Sequence, residues 1–351
     1  MEVSRSMENR KIKIGGEFEI NPELIHSSDN LLSRNSNTLF SSGRSALMAI
    51  LQKIQNDGGN KSLIYLPYYI CSSVVEACQN TRFDVKFYEI DQTFLFPLEF
   101  IDNIEKKASL LSVNYFGLVN DNNILEALKN KRPDIITISD NVQSLWECHK
   151  SVANFSFTSF RKHIATPDGA IVYQKGEIVK PQKDILENVF YNNKLSGAIA
   201  KYREEEDRVY LNFFEEGEIQ LEHETKTTKA SQLSEYVFQN IDWENIKMAR
   251  KNNYHKVHEI GSKNGLNFIF PYSEKDSPLC VPILVENRDE IRRNLFKHNI
   301  FLPIHWPIES YNKKSNLSNN MAKNELSLVI DQRYSLIEMV YQIETLTALM
   351  K

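Results

Sequence analysis

The chain lacks what would staple a small protein or anchor one in a membrane. Its four cysteines, Cys71, Cys78, Cys148 and Cys280, are scattered through 351 residues with no Cys-x-x-Cys spacing. That pattern argues against a disulfide framework and reads as reduced, mostly buried thiols of a cytosolic protein. No His/Cys cluster has zinc-ligand spacing. No apolar run approaches the ~20 residues of a membrane span, and the start, Met1-Glu2-Val3-Ser4-Arg5, lacks the apolar segment of a secretory signal. Positive charge is short as well: a net charge of −4 gives no basic face for nucleic acid. Repeats, low-complexity blocks and long Gly/Ser linkers are absent. What remains, 41% hydrophobic and 25% charged residues, is ordinary globular composition, enough for a large core and two domains.

The first half alternates strand-like and helix-like runs. Ser62–Leu66, Val85–Ile90, Leu110–Tyr115 and Ile135–Asp140 read as strands, with helical patterns over Arg44–Ile54, Ser72–Asn80 and Asn123–Lys129 between them. Such alternation predicts an α/β fold with a mostly parallel sheet covered on both faces. Polar residues just past the strand ends then line the ligand crevice. Asn114, Tyr115, Asp140 and the segment Ser159–Lys162 all fall at such ends. From Glu187 to Glu224 charge dominates, and solvated helix is expected. A long helix over Ala230–Ile260, interrupted near Asp242, bridges to a smaller α+β domain. That domain is expected to hold strands near Leu266–Phe270, Cys280–Val285 and Ile300–Pro303 and helices over Arg288–Lys297 and Tyr334–Leu349. The division expected is a large domain over residues 1–248 and a small one over 249–351.

A few positions carry chemistry. Ser41-Ser42-Gly43-Arg44-Ser45 opens a helix: Ser41 or Ser42 caps it, and free N–H groups with the helix dipole favour an anion there, unless the turn is a plain cap. Asp140 closes a strand, either as a surface turn residue or as a carboxylate paired with a pyridinium nitrogen. Gln143, three residues on, is in reach of a phenolic oxygen. Lys162 lies between this Asp-x-x-Gln run and Gly169. A lysine there can condense with an aldehyde cofactor once its amine is nucleophilic, a state that burial beside other cations such as Arg161 promotes. Ser159 precedes it by three residues and can bond a phosphate. His305-Trp306 reads as a pocket wall or as a packed tryptophan with an incidental histidine. Asp331 reads as a helix cap, and Arg333 as undecided between structure and a carboxylate clamp.

Taken together these residues resemble the DegT-like (DegT/DnrJ/StrS-type) pyridoxal-phosphate (PLP) dependent nucleotide-sugar aminotransferases. The likeness runs from Ile14-Gly15-Gly16-Glu17-Phe18 through Ser42–Leu47, Leu66–Cys71, Val113–Gly117, Ser139–Ser144 and Lys162–Ala170 to Ile304–Ile308. It implies the aspartate aminotransferase fold (fold type I), a homodimer, a ping-pong reaction with glutamate as amino donor and a nucleotide-linked keto-sugar as acceptor, and a place in surface-polysaccharide or related glycan synthesis. It implies Lys162 as the cofactor-bound lysine and proton shuttle, Asp140 on the ring nitrogen, and Gln143 near the ring hydroxyl. The phosphate is expected on Gly43, Arg44 and Ser45 with Ser159 or Ser156. Tyr69 or Cys71 stands where the family stacks an aromatic residue on the ring. Tyr115, His305, Trp306 and Arg333 are the substrate-side residues expected. Two rivals remain: a PLP-dependent sugar dehydratase, in which a histidine such as His163 takes the lysine's place, and a non-catalytic nucleotide-sugar-binding relative.

Overall fold

The computed structural model describes residues 12–25, 38–58, 62–174, 179–182, 189–307 and 309–351. The expected charged stretch begins, at 187–188, outside these residues, and so does Ile308. In chain order the elements are β1 (Ile14–Gly15), β2 (Thr38–Phe40), α1 (Gly43–Asn56), β3 (Leu63–Pro67), α2 (Ser72–Asn80), β4 (Asp84–Tyr88), β5 (Ser109–Val113), α3 (Asn122–Lys131), β6 (Ile136–Asp140), β7 (Phe155–Thr158) and β8 (Ala170–Gln174). Then follow α4 (Val189–Tyr202), α5 (Asp207–Glu222), α6 (Gln232–Asn240), α7 (Trp243–Lys263), β9 (Cys280–Leu284), α8 (Arg288–Lys297), β10 (Ile300–Phe301), α9 (Asn316–Asn324), β11 (Glu325–Val329) and α10 (Leu336–Leu349).

Seven strands form one sheet in the order β2-β8-β7-β6-β5-β3-β4. The five from β7 to β4 run parallel, and β8 and β2 add an antiparallel edge. Strands β3 and β5 are buried at every residue, as expected where helices cover both faces. Parallel order brings the carboxyl ends of β3, β5, β6 and β7 to one edge. Residues 68–69, 114–115, 140 and 159 therefore meet there.

A second core gathers Tyr254 and Val257 of α7, Val281 and Ile283 of β9, Leu326 and Leu328 of β11, and Met339 and Ile343 of α10. Ile14 packs into this core too, since β1 pairs with β10 from the other end of the chain. The sequence pattern missed β11, which pairs antiparallel with β9. It placed a strand at Leu266–Phe270, where only one bridge, Phe268 to Ile283, forms. The charged stretch folds into the α4–α5 hairpin, in which Ala198, Tyr210 and Phe214 make a small apolar contact. Asp331 does not cap the last helix. Ser335 does, in a capping box with Glu338.

Candidate active site

Strand β6 delivers Asp140 buried to the carboxyl edge of the sheet. Its Oδ1 accepts the Val142 N–H at 2.9 Å, and Oδ2 has no donor among the described residues. Burial pushes this carboxyl up to about 6; the Val142 N–H and the Lys162 ammonium pull the other way, and the Asp121 carboxylate adds to the rise. Behind it lies a buried amide-and-hydroxyl lattice. Asn114 donates to Asn141 at 2.7 Å, Asn141 to Ser139 at 2.8 Å and Ser139 to Asp121 at 2.8 Å. A fully satisfied network of this kind fixes the strand end that carries Asp140.

Lys162 ends a short 3₁₀ turn, Phe160–Lys162, that follows β7. Its side chain is exposed, and its charge acts on Asp140, His163, Cys280 and His305. The turn is pinned on several sides. Thr158 donates to the Asn141 carbonyl at 2.7 Å and Ser159 to the Gly169 carbonyl at 3.1 Å. Gly169 N–H donates to the Ser41 carbonyl at 2.7 Å. Gly169 has φ +133°, and a Cβ there would fall 2.1 Å from the Phe160 ring, so only glycine lets the aromatic ring seat the loop. His163 turns inward, where it sits 3.2 Å from the Val142 carbonyl and edge-on to Trp146. Burial holds its imidazole well below the usual range. Of the two neighbours, Lys162 is thus the exposed residue whose charge acts on Asp140, and His163 is the packed one.

The anion turn meets the same place. Ser42 caps α1 by accepting the Ser45 N–H at 3.0 Å, which leaves the amides of Gly43 and Arg44 as the open donors of the first turn. A Cβ on Gly43 would lie 3.5 Å from Val142 and 3.7 Å from Ser159, so turn, aspartate loop and lysine loop converge. The other expected phosphate groups are engaged elsewhere. The Ser45 hydroxyl exchanges hydrogen bonds with Thr228, donating at 3.3 Å and accepting at 2.8 Å. The Arg44 guanidinium pairs with Glu76 at 2.8 Å. Ser156 donates to the Cys148 carbonyl at 3.0 Å, beneath the sheet edge, which leaves Ser159 as the serine beside the turn. Glu224 approaches the turn as well, accepting from Ser41 and Ser42 at 3.2 Å each.

Gln143 is buried, and its side-chain oxygen accepts the Phe116 N–H at 2.6 Å. Gly117, at φ +76°, permits this approach, because a Cβ would lie 2.6 Å from the Gln143 carbonyl. Tyr69 stacks on Tyr115 with centroids 5.5 Å apart, and Trp306 leans on Tyr69 at 5.2 Å. The Tyr115 hydroxyl donates to the Tyr69 carbonyl at 2.5 Å, so it is a wall residue and not an open substrate donor. The Tyr69 hydroxyl is buried with no partner among the described residues. Cys71 is half-buried at the N-cap position of α2, with Sγ 3.1 Å from Ser73 Oγ. Arg333 is corrected outright: its fork clasps Asp331 at 2.9 and 2.8 Å and donates to the Glu17 and Gly16 carbonyls. No donor geometry is left for a substrate carboxylate. Arg161 likewise pairs with Glu218 at 2.9 Å, so its charge is compensated away from Lys162.

Three contributors had no sequence motif. Arg250 of α7, fully buried, donates to the His163 carbonyl at 3.3 Å, the Leu279 carbonyl at 3.1 Å and Gln332 at 3.0 Å. Glu325 and Ser327 of β11 reach His305. The alternation of Leu326 and Leu328 was the one signal that could have set Glu325 and Ser327 on a common face.

No protein-family model and no curated protein sequence matches the chain. Solved structures do. A protein named as a sugar aminotransferase from Streptococcus pneumoniae, in its PMP form, is 16% identical with a TM-score of 0.71, over 96% of this chain and 98% of that one. Helicobacter pylori PseC, an aminotransferase of pseudoaminic acid biosynthesis, is 14% identical with a TM-score of 0.64, over 97% and 99%. The GDP-4-keto-6-deoxy-D-mannose-3-dehydratase of E. coli, with bound hydrated PLP, is 16% identical with a TM-score of 0.61, over 95% and 100%. The chain has the fold of these PLP enzymes along almost its whole length, as the α/β, fold type I expectation required.

Proposed function

We propose that the protein is a PLP-dependent aminotransferase that moves an amino group from glutamate to a nucleotide-linked keto-sugar, in the synthesis of a surface polysaccharide or related glycan. The observation that carries this reading is the buried Asp140 carboxyl, on which the Lys162 charge acts, with the first turn of α1 and its open Gly43 and Arg44 amides against the Val142 and Ser159 side chains. The residues fit the cofactor. Oδ2 of Asp140 is a buried acceptor that lacks a donor among the described residues, which suits a protonated ring nitrogen. The first turn of α1 suits a phosphate.

When bound, PLP supplies a carbonyl carbon that takes up an amine and a ring that stores an electron pair. The chain's own residues do the rest. Asp140 holds the ring nitrogen protonated. Lys162 offers the nucleophilic amine and afterwards carries a proton between substrate carbon and solvent side. Gln143, its oxygen committed to Phe116, has its amide nitrogen left to donate. Tyr69, Tyr115 and Trp306 wall the crevice and keep water from the reacting carbon. His305 stands on the side of the second core as a neutral ring.

Homodimerisation, a division near residue 248 and a cytoplasmic setting belong to the same proposal. No described helix is long and apolar enough to cross a membrane. The dehydratase reading asks for a histidine where Lys162 stands, and His163 is packed against Trp146 instead. The test is the half-reaction. Protein loaded with PLP should show the absorbance of lysine-bound cofactor, and glutamate alone should convert it to the pyridoxamine form. Absence of the starting band defeats the enzyme reading; a band that no amino acid bleaches defeats transamination.

A further inference from the structure

His305 is linked to a buried carboxylate through a single hydroxyl. Ser327 Oγ lies 2.9 Å from His305 Nδ1 and donates to Glu325 Oε1 at 2.5 Å. The other carboxylate oxygen, Oε2, already accepts the His305 backbone N–H at 2.6 Å, so any proton on Glu325 sits on the oxygen that faces Ser327. Glu325 and Ser327 are wholly buried. With Nδ1 turned to Ser327, Nε2 is the ring's other end, and the ring feels the charge of Lys162.

We propose that Glu325, Ser327 and His305 form a proton relay that delivers a proton from a buried carboxyl to the crevice at His305 Nε2. In the loaded state the Glu325 O–H donates to Ser327, the Ser327 O–H donates to Nδ1, and Nε2 carries the ring proton. Discharge breaks the Nε2–H bond toward an acceptor in the crevice. The Ser327 proton moves to Nδ1, and the Glu325 proton moves to Ser327. One proton has left, Glu325 is ionised, and the ring is neutral at both ends. The 2.5 Å separation of Ser327 Oγ and Glu325 Oε1 and the 2.9 Å separation of Ser327 Oγ and His305 Nδ1 serve both states, with Ser327 donating to Glu325 in the discharged one.

The surroundings suit such a device. Burial pushes Glu325 up to about 8, against the pull of the Ser327 hydroxyl, the His305 N–H and Arg288. Burial, aided by Lys162, takes His305 down to about 3, so it exchanges tautomers without charging. The groups facing the relay from neighbouring elements are Cys280 on β9, Arg288 on α8, Tyr69 after β3 and Lys162 on its loop. Cys280 donates to Ser327 at 3.3 Å, and burial pushes its thiol up to about 12, so it stays a donor throughout. Arg288 is held to the Glu325 carbonyl at 3.2 Å. The Tyr69 hydroxyl stays neutral because burial raises it well above its usual range.

The role of the crevice end rests on the aminotransferase reading; the relay itself does not, and it is tested on the full chain without cofactor. Nitrogen-15 shifts of the His305 ring, assigned by their loss in His305→Gln, should swap Nε2–H for Nδ1–H as pH rises through about 8. Glu325→Gln should lock Nε2–H at every pH, since its amide donates to Ser327 and turns that hydroxyl toward Nδ1. Ser327→Ala should abolish the swap, and it carries the test if Glu325→Gln fails to fold. One tautomer across the whole titration in the unaltered protein overturns the relay, as does a swap that survives in Ser327→Ala. Because PLP is absent from these samples, a protein that never binds PLP would still report on the relay.

Discussion

Arg250 Nη2 donates to the carbonyl of His163, the residue that follows Lys162, at 3.3 Å. A fully buried guanidinium on α7 thus holds the backbone of the lysine loop, while its other donors hold the Leu279 carbonyl just before β9 and the Gln332 side chain between β11 and α10. Burial lowers it to about 10, still charged at neutral pH. The lysine loop and the segments flanking β9 and α10 are thus tied through one side chain.

Arg250→Met should therefore cost roughly 2 kcal/mol in unfolding free energy, because the Leu279 carbonyl and the Gln332 side-chain oxygen lose this donor while the His163 carbonyl keeps only Gln332 Nε2 at 2.7 Å. It should also weaken PLP binding in protein that is still folded. Denaturant titration and a PLP absorbance titration measure the two. Unchanged PLP affinity in a folded variant would remove Arg250 from the site.

Asp140 makes a pH prediction. Its folded carboxyl is raised from 3.8 to about 6. Between those values the folded chain keeps a proton that the unfolded chain has lost, so stability is full below the lower value and falls as pH rises through the upper one. The loss is about 3 kcal/mol for a shift of this size. Asp140→Asn should flatten that window in cofactor-free protein, read by chemical unfolding at a series of pH values. An undiminished slope in Asp140→Asn would place the titration on another group.

Lys162 and His163 give opposite expectations. Borohydride reduction with PLP should fix the cofactor on the peptide bearing Lys162, and Lys162→Arg should abolish the adduct. His163→Gln should keep it, because His163 is hydrogen-bonded beneath the loop. Mass spectrometry of the reduced peptide decides, and an adduct that persists in Lys162→Arg would move the chemistry to another lysine.

Gly169→Ala sets a methyl group against the Phe160 ring, which lies 2.1 Å from the ideal Cβ position, at a φ that alanine avoids. Roughly 3 kcal/mol or more of stability should go, with loss of PLP binding as the loop leaves Ser41. A thermal melt matching the unaltered protein would contradict this packing.

Much of this was legible in the chain. Strand–helix alternation from Leu63 to Asp140 forecast the parallel sheet, because helices covering both faces leave strands with apolar runs and polar ends. Asp140 and Lys162 were singled out through their spacing from Gln143, Ser159 and Gly169, and their roles stay part of the proposal. Glu325, Ser327 and Arg250 were not, since each sits in an unremarkable run and acquires its role only from partners far along the sequence. Arg333 was left undecided and Tyr115 was expected on the substrate side for the same reason: an arginine looks open until Asp331 is found in its fork, and a phenol looks free until the Tyr69 carbonyl accepts from it.

The sequence by itself determined which groups line the sheet edge, because the order of parallel strands and their polar last residues is written locally. Tertiary structure alone decided which of those groups remain available for chemistry. Burial and hydrogen-bond partners consume most donors and acceptors, and partnership across tens or hundreds of residues leaves no local pattern.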